Sequence, residues 1–275
     1  MLKIAVIGLG IIGGSIARSL KMTGEYIVDG WNRNRAVVET ALQRAYIDSE
    51  VRNVEEYDVV FVALPPQTAM QYMDTARFRD GAIVADICGV KGVVEDFIYA
   101  KERNYRYVGT HPMAGKETRG LESSSESMFR GASMIITKNE FTDADAVETI
   151  KELSREMGFS RIVECSALYH DKKIALTSQL AHVVSNAYVK SPTVEGYEGF
   201  TGGSFQDMTR IAGVDEAVWT QLYLYNRDNL LEELNTFISH LQVYREALQE
   251  NSPQKLSAAL KEGRLIRENI KSGKV

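Results

Sequence analysis

The chain opens with Lys3-Ile4-Ala5-Val6-Ile7 followed directly by Gly8-Leu9-Gly10-Ile11-Ile12-Gly13, and that junction restricts the fold more than any other stretch. A short β-prone apolar run calls for a buried strand, and three glycines at this spacing let the chain turn tightly from strand into helix. Gly8 permits the turn, Gly10 lets the backbone approach a pyrophosphate, and Gly13 lets helix and strand pack closely. The helix that starts there, with Ile12 in its first turn, offers amides and a positive dipole to phosphate. A dinucleotide is therefore expected on Gly8, Gly10, Ile12 and Gly13. The glycine spacing alone is a weak signal; its place between a strand and a helix is what gives it weight.

The following residues extend this reading. Runs at 3–7, 26–31, 58–64, 82–87, 105–109 and 133–137 are strand-like, and most are followed by a helical pattern. Such alternation predicts an α/β domain, a doubly wound, mainly parallel sheet of the Rossmann type with helices on both faces. Strand character returns briefly at 162–163, and from Ser166 onward the pattern is nearly all helix. We expect a nucleotide-binding domain over 1–164 and an all-helical substrate and dimerisation domain over 165–275. Val218, Leu222, Tyr225, Leu230, Leu234, Phe237, Leu241, Tyr244 and Leu248 recur at helical spacing. They predict one helix of about nine turns that needs a partner surface, hence a homodimer.

The end of the second strand bears on which dinucleotide is bound. NAD sites usually carry an acidic residue there. This chain has Trp31-Asn32-Arg33-Asn34-Arg35. A neutral Asn32 does not repel a 2′-phosphate, and Arg33 or Arg35 is placed to bind it, which favours NADP over NAD. Asp29 argues the other way if the strand ends earlier. Leu64-Pro65-Pro66 closes the third strand as a rigid wall, and Leu64 and Pro65 are expected to face the cofactor.

Composition excludes several classes. The 275 residues are 44% hydrophobic and 25% charged, as in a globular protein. A net charge of −5 argues against a nucleic-acid partner. Two cysteines, Cys88 and Cys165, give no disulfide framework and point to a reducing cytoplasm. No apolar run approaches the roughly 20 residues of a membrane span, and no metal is expected.

Chemistry is concentrated in Gly109-Thr110-His111-Pro112-Met113-Ala114-Gly115-Lys116-Glu117. A histidine before proline is biased to extended backbone, and small residues around it read as a loop at a strand end, where ligands bind in open α/β sheets. Two more segments stand out, Asp86-Ile87-Cys88-Gly89-Val90-Lys91-Gly92 and Gly203-Ser204-Phe205-Gln206-Asp207-Met208-Thr209-Arg210-Ile211-Ala212, with Trp219 beyond. Together with the glycine turn, these motifs resemble the prephenate and arogenate dehydrogenase family of tyrosine biosynthesis, over nearly the whole chain.

That resemblance implies an oxidative decarboxylation. His111 accepts the proton of the substrate's ring hydroxyl, hydride leaves the same carbon for the nicotinamide, carbon dioxide departs and the ring becomes aromatic. A neutral imidazole suits the task, since its ordinary pKa of about 6.5 lies near working pH. Arg210 matches the arginine that grips the ring carboxylate; its plainer alternative is a surface pair with Asp207. His182 matches a residue near the substrate, and Ser178, His182 and Ser185 share one helical face. Glu117 matches a residue at the pocket mouth. Trp219 matches one of the substrate-domain aromatics and reads as packing rather than recognition, and no role is assigned to His170 or His240. Many members carry Ser where this chain has Gly89, a position that meets both substrate and catalytic histidine. Either water, Cys88 or another hydroxyl replaces that contact, or the histidine is held more loosely. Gln206 stands where some members have a basic residue, so prephenate and arogenate both remain open. With the sequence ending at Val275, no regulatory or chorismate mutase domain is expected, and tyrosine inhibition would act at the active site.

Two other readings compete. A β-hydroxyacid-type dehydrogenase would use a lysine on the interdomain helix, and Lys172 and Lys173 are available. A non-catalytic NADP-sensing protein would keep the glycine turn and lose the chemistry, which Gly89 supports and the joint presence of His111 and Arg210 opposes.

Overall fold

The computed structural model describes residues 1–116 and 118–273. Glu117 lies outside the described residues. Among the described residues a seven-stranded sheet runs in the order β2-β1-β3-β4-β5-β6-β7. The strands are β1 (Leu2–Ile7), β2 (Tyr26–Trp31), β3 (Val59–Val62), β4 (Ile83–Asp86), β5 (Arg106–Pro112), β6 (Ser133–Thr137) and β7 (Arg161–Cys165). All neighbours are parallel except β5 and β6. Helices α1 (Ile11–Thr23), α2 (Arg35–Gln43), α3 (Pro66–Thr75), α4 (Gly92–Tyr99) and α5 (Ala144–Glu156) connect them.

Alternation explains why the sheet is buried on both sides. Ile4, Val6, Val59 and Phe61 point into one core with α1 and α5, while Ala5, Ile7, Val60 and Val62 point into a second core with α3 and α4. Each of the valine, isoleucine and phenylalanine side chains contributes about 1.5–3 kcal/mol on burial, so these two layers dominate the stability. The strand order reverses between β1 and β3, and the carboxyl ends of the strands at that reversal are where doubly wound sheets bind ligands.

One expectation needs correction. The His-Pro segment is not a loop: β5 continues through His111 and Pro112, which pair with Ile135 and Met134 of antiparallel β6. The proline is tolerated because the β4 ladder ends opposite Gly109, leaving no partner on that side for a lost N–H. His111 is thereby held on a strand rather than on a loop.

After β7 the chain is helical. α6 (Ala167–Ile174) runs into a six-residue π turn, Ala175–Leu180, and then α7 (Ala181–Tyr188). π turns in helices occur frequently at functional sites. Next come α8 (Gly203–Thr209) and α9 (Glu216–Tyr225). The residues from Met1 to Asn226 form one compact unit, and those from Arg227 onward a second. The second unit is a pair of helices, α10 (Arg227–Gln249) and α11 (Pro253–Lys271), with Ser252 capping the latter and Ala247 buried between them. Leu231, Ile238, Leu241 and Leu248 on α10, and Leu260, Ile266 and Ile270 on α11, are exposed in the single chain.

The single nine-turn helix is also corrected. The periodic run is divided at Asn226, whose backbone leaves the helical region (φ −116°, ψ 27°). Its buried side-chain amide donates to the Asp171 carbonyl and to Gln179 Oε1, both at 2.8 Å. Those partners lie far away in sequence, so spacing alone could not reveal the break.

Candidate active site

The glycine turn behaves as its sequence predicts. Gly8 has φ +104°, and a Cβ there would stand 2.3 Å from the Ala63 carbonyl oxygen; a Cβ on Gly13 would stand 1.9 Å from the Gly8 carbonyl oxygen. Neither position accepts another residue. Gly10 is different, because a Cβ there would meet nothing within 4 Å. Its bare backbone borders open space at the N-terminus of α1, where no side chain caps the helix and the first turn holds no acid. Uncapped amides beside an open approach fit a pyrophosphate. Ile12 lies in that first turn, half-buried against the core. Leu64 packs over Gly8, and Pro65 precedes α3 as its N-cap.

At the end of β2, Asn32 follows the last strand residue and its Oδ1 accepts the Asn34 amide at 2.9 Å. Arg33 is exposed, and Arg35 pairs with Glu39 one helical turn along. Asp29 lies inside the strand, buried, with Oδ2 accepting the Tyr57 hydroxyl at 2.7 Å.

On the far side of β4, His111 is half-buried and Nδ1 lies 2.8 Å from Nε2 of His170. His170 is only 1% exposed, and its Nδ1 lies 2.7 Å from Asp171 Oδ1. That carboxylate also accepts the amides of Lys91 and Gly92, both at 2.8 Å, at the start of α4. Lys91 is fully buried, its ammonium donating to Asp86 and to the Thr110 carbonyl, while Tyr107 OH donates to the other Asp86 oxygen at 2.6 Å. Burial holds the His111 imidazole well below its ordinary pKa, and His170 and Lys91 push it the same way. Burial lowers His170 too, although Asp171 opposes the shift.

Gly89 sits against this histidine. A Cβ there would lie 3.7 Å from His111 Nε2 and 3.5 Å from Leu222 Cδ2, which is ordinary contact. Cys88 does not replace the missing hydroxyl, because its thiol is turned to the Leu64 carbonyl oxygen. The partner of His111 is His170, for which the sequence reading has no role. A signal was present: Ala167, His170, Asp171 and Ile174 form the buried face of α6, and two titratable residues on such a face are unusual.

His111 opens into a cavity of about 440 Å³. Ser178, His182, Arg210 and Trp219 line it, so helices far from His111 in sequence meet it in space. His182 Nδ1 donates to the Ser178 carbonyl at 2.9 Å, which leaves Nε2 as the other ring nitrogen. Trp219, expected to pack rather than to recognise substrate, lines the cavity and lies against the His182 ring, with centroids 3.9 Å apart. Ser185 does not join the cavity wall; buried, it donates to the Met208 carbonyl. Lys116 and Arg119 add positive charge to the wall, and Asp215, the one acid among the described lining residues, pairs with Arg119 at 2.7 Å. Lys172 and Lys173, needed by the hydroxyacid reading, are exposed.

Comparison with known proteins is decisive at this point. The nucleotide-binding domain model of prephenate dehydrogenase matches residues 16–163, and the prephenate dehydrogenase dimerization domain model matches 166–262. The chain belongs to the prephenate dehydrogenase family. Among relatives, a cyclohexadienyl dehydrogenase of Zymomonas mobilis is 30% identical, covering 98% of this chain and 96% of its own. A prephenate dehydrogenase of Bacillus subtilis is 29% identical over 97% of this chain and 76% of its own. Among solved structures, prephenate dehydrogenase from A. aeolicus, in complex with hydroxyphenyl propionate and NAD+, superposes with a TM-score of 0.85 at 27% identity, covering 98% of both chains. The expected fold, a Rossmann-type sheet followed by helices, is that of this prephenate dehydrogenase family member. No described helix is long and apolar enough to cross a membrane.

Proposed function

We propose that this chain catalyses the NAD(P)-dependent oxidative decarboxylation of prephenate, or of arogenate, to the corresponding 4-hydroxyphenyl product. The observation that carries the reading is the opening of His111 into a cavity shared with Arg210 and His182, on the same sheet as a turn built for a dinucleotide. With its pyrophosphate on the Gly8–Gly13 turn, a bound dinucleotide would supply its nicotinamide as the hydride acceptor. His111 Nε2 takes the proton of the ring hydroxyl while the C–H pair at the same carbon leaves as hydride. The ring carboxylate then departs as carbon dioxide, its bonding pair enters the ring, and the product oxygen regains a proton.

Arg210 holds the ring carboxylate through two parallel bonds and so fixes the ring against His111. His182 and Ser178 approach the substrate from the same wall. Glu117 keeps its place at the pocket mouth as an expectation from the family motif alone. Gly89 leaves the space beside His111 Nε2 open to substrate and nicotinamide. The cationic residues Lys116, Arg119 and Arg210 outnumber the single described acid, which favours the dianion prephenate over the zwitterionic side chain of arogenate. Asp29 is engaged by Tyr57, and the residue at the strand end is the neutral Asn32 with Arg33 beside it, which supports use of NADP. The exposed leucines and isoleucines of α10 and α11, together with the dimerization-domain match, support a homodimer.

The test is steady-state nicotinamide reduction with prephenate and with arogenate, each with NAD and NADP. Turnover is expected with prephenate. Absence of turnover in all four pairs, from protein that binds cofactor, would refute the reading.

A further inference from the structure

His111 has two ring nitrogens, and only one can be the base. The geometry around Asp171 decides which. Its carboxylate accepts two backbone amides and the His170 ring, and it lies at the N-terminus of α4, where a negative charge is favoured. An ionised carboxylate is acceptor-only, so His170 Nδ1 carries the hydrogen and its Nε2 is an acceptor. His170 is buried, so no solvent competes for that acceptor. The 2.8 Å contact then requires His111 to donate from Nδ1. His111 Nε2 is left with the lone pair, beside the side-chain-free Gly89.

We propose that His170, anchored by Asp171, is a positioning residue that fixes His111 as the Nδ1–H tautomer and orients Nε2 as the base. The inference rests on the reading of His111 as the base. When Nε2 takes the substrate proton, His111 becomes an imidazolium and its Nδ1–H bond to His170 becomes charge-assisted. No further proton moves: one O–H bond breaks on the substrate and one N–H bond forms on His111. An orienting partner behind a catalytic histidine is a recurrent arrangement, and loss of the correct tautomer there is severe.

The experiment uses the full chain carrying 15N-labelled histidine, which gives only four residues to resolve. Long-range 1H–15N correlation is expected to show His111 with Nδ1 protonated and Nε2 bare. An Nε2–H tautomer, or a mixture, in the unmodified protein would overturn the proposal. His170→Leu is expected to release the tautomer and lower kcat by on the order of 10- to 100-fold with little change in substrate KM. His170→Gln places a carbonyl oxygen near the same point and is expected to recover much of the loss. Equal loss in both variants, with the His111 tautomer unmoved, would show His170 to be packing and overturn the proposal. If His170→Leu does not fold, the unmodified tautomer and the Gln variant still decide. Failure of the unmodified protein to turn over any substrate would refute the proposed activity, and the tautomer measurement would stand apart from it.

Discussion

The ammonium of Lys91 is buried against the carboxylate of Asp86 directly behind the strand that carries His111. The pair is neutral in sum, yet its positive end, together with burial, disfavours a second proton on the imidazole. The site is thus built to keep His111 as a free base.

That arrangement fixes the sign of a pH effect. The folded His111 titrates below the ordinary imidazole value of about 6.5. kcat/KM for the proposed reaction should therefore hold as pH falls through 6.5, and its acid limb should lie below it. Stability follows the same group. Neutral burial contributes fully above the unfolded pKa and is lost as pH falls below it, because protons bind the unfolded chain more readily. A pH–rate profile centred above 6.5 would contradict this account of the site.

His111→Asn removes the base while keeping a polar side chain of similar reach. A loss of about 10²–10⁴ in kcat is expected, with a smaller change in KM, since the base acts mainly in the transition state. Near-normal turnover would remove His111 from the role.

Arg210→Gln should act differently. Gripping a carboxylate helps ground state and transition state alike, so the main effect expected is a raised KM for substrate. A loss of one charge-assisted bond is worth about 1.5–3 kcal/mol, or roughly 10- to 150-fold. An unchanged KM would sink the carboxylate assignment.

Asn32→Asp places a negative charge at the end of β2, where a 2′-phosphate is expected. The ratio of kcat/KM with NADP to that with NAD should fall, and the substrate KM should stay put. A ratio that does not move would mean that Asn32 does not face the ribose.

Much of this architecture was legible because it is local. The strand runs are β-branched and bounded by glycine or proline, and the Gly8–Gly13 turn states its own geometry. What escaped the sequence is long-range. Thr110-His111-Pro112 looks like a loop until β6 is present to pair with it. Asn226 sits within a good helical period, and only contacts with Asp171 and Gln179 explain the interruption. His170 lies outside the motifs that carry the resemblance, although its place on the inward face of α6 is readable from the sequence. An aromatic at helical spacing such as Trp219 usually packs, and its contact with the His182 ring depends on two helices meeting.

The π turn at Ala175–Leu180 separates the segment that holds His170 from the one that holds His182. Each residue of a regular helix advances the azimuth by about 100°, so a wider turn acts as a phase adjuster between the two histidines. Deleting one residue there would leave the local sequence helical and the sheet intact. It would also rotate His182 and Ser185 away from their present bearings while His170 stayed in place. A change of length in this segment should therefore disturb the bearings of the two histidines while leaving the sheet in place, so the number of residues here matters to the chemistry as well as their identity.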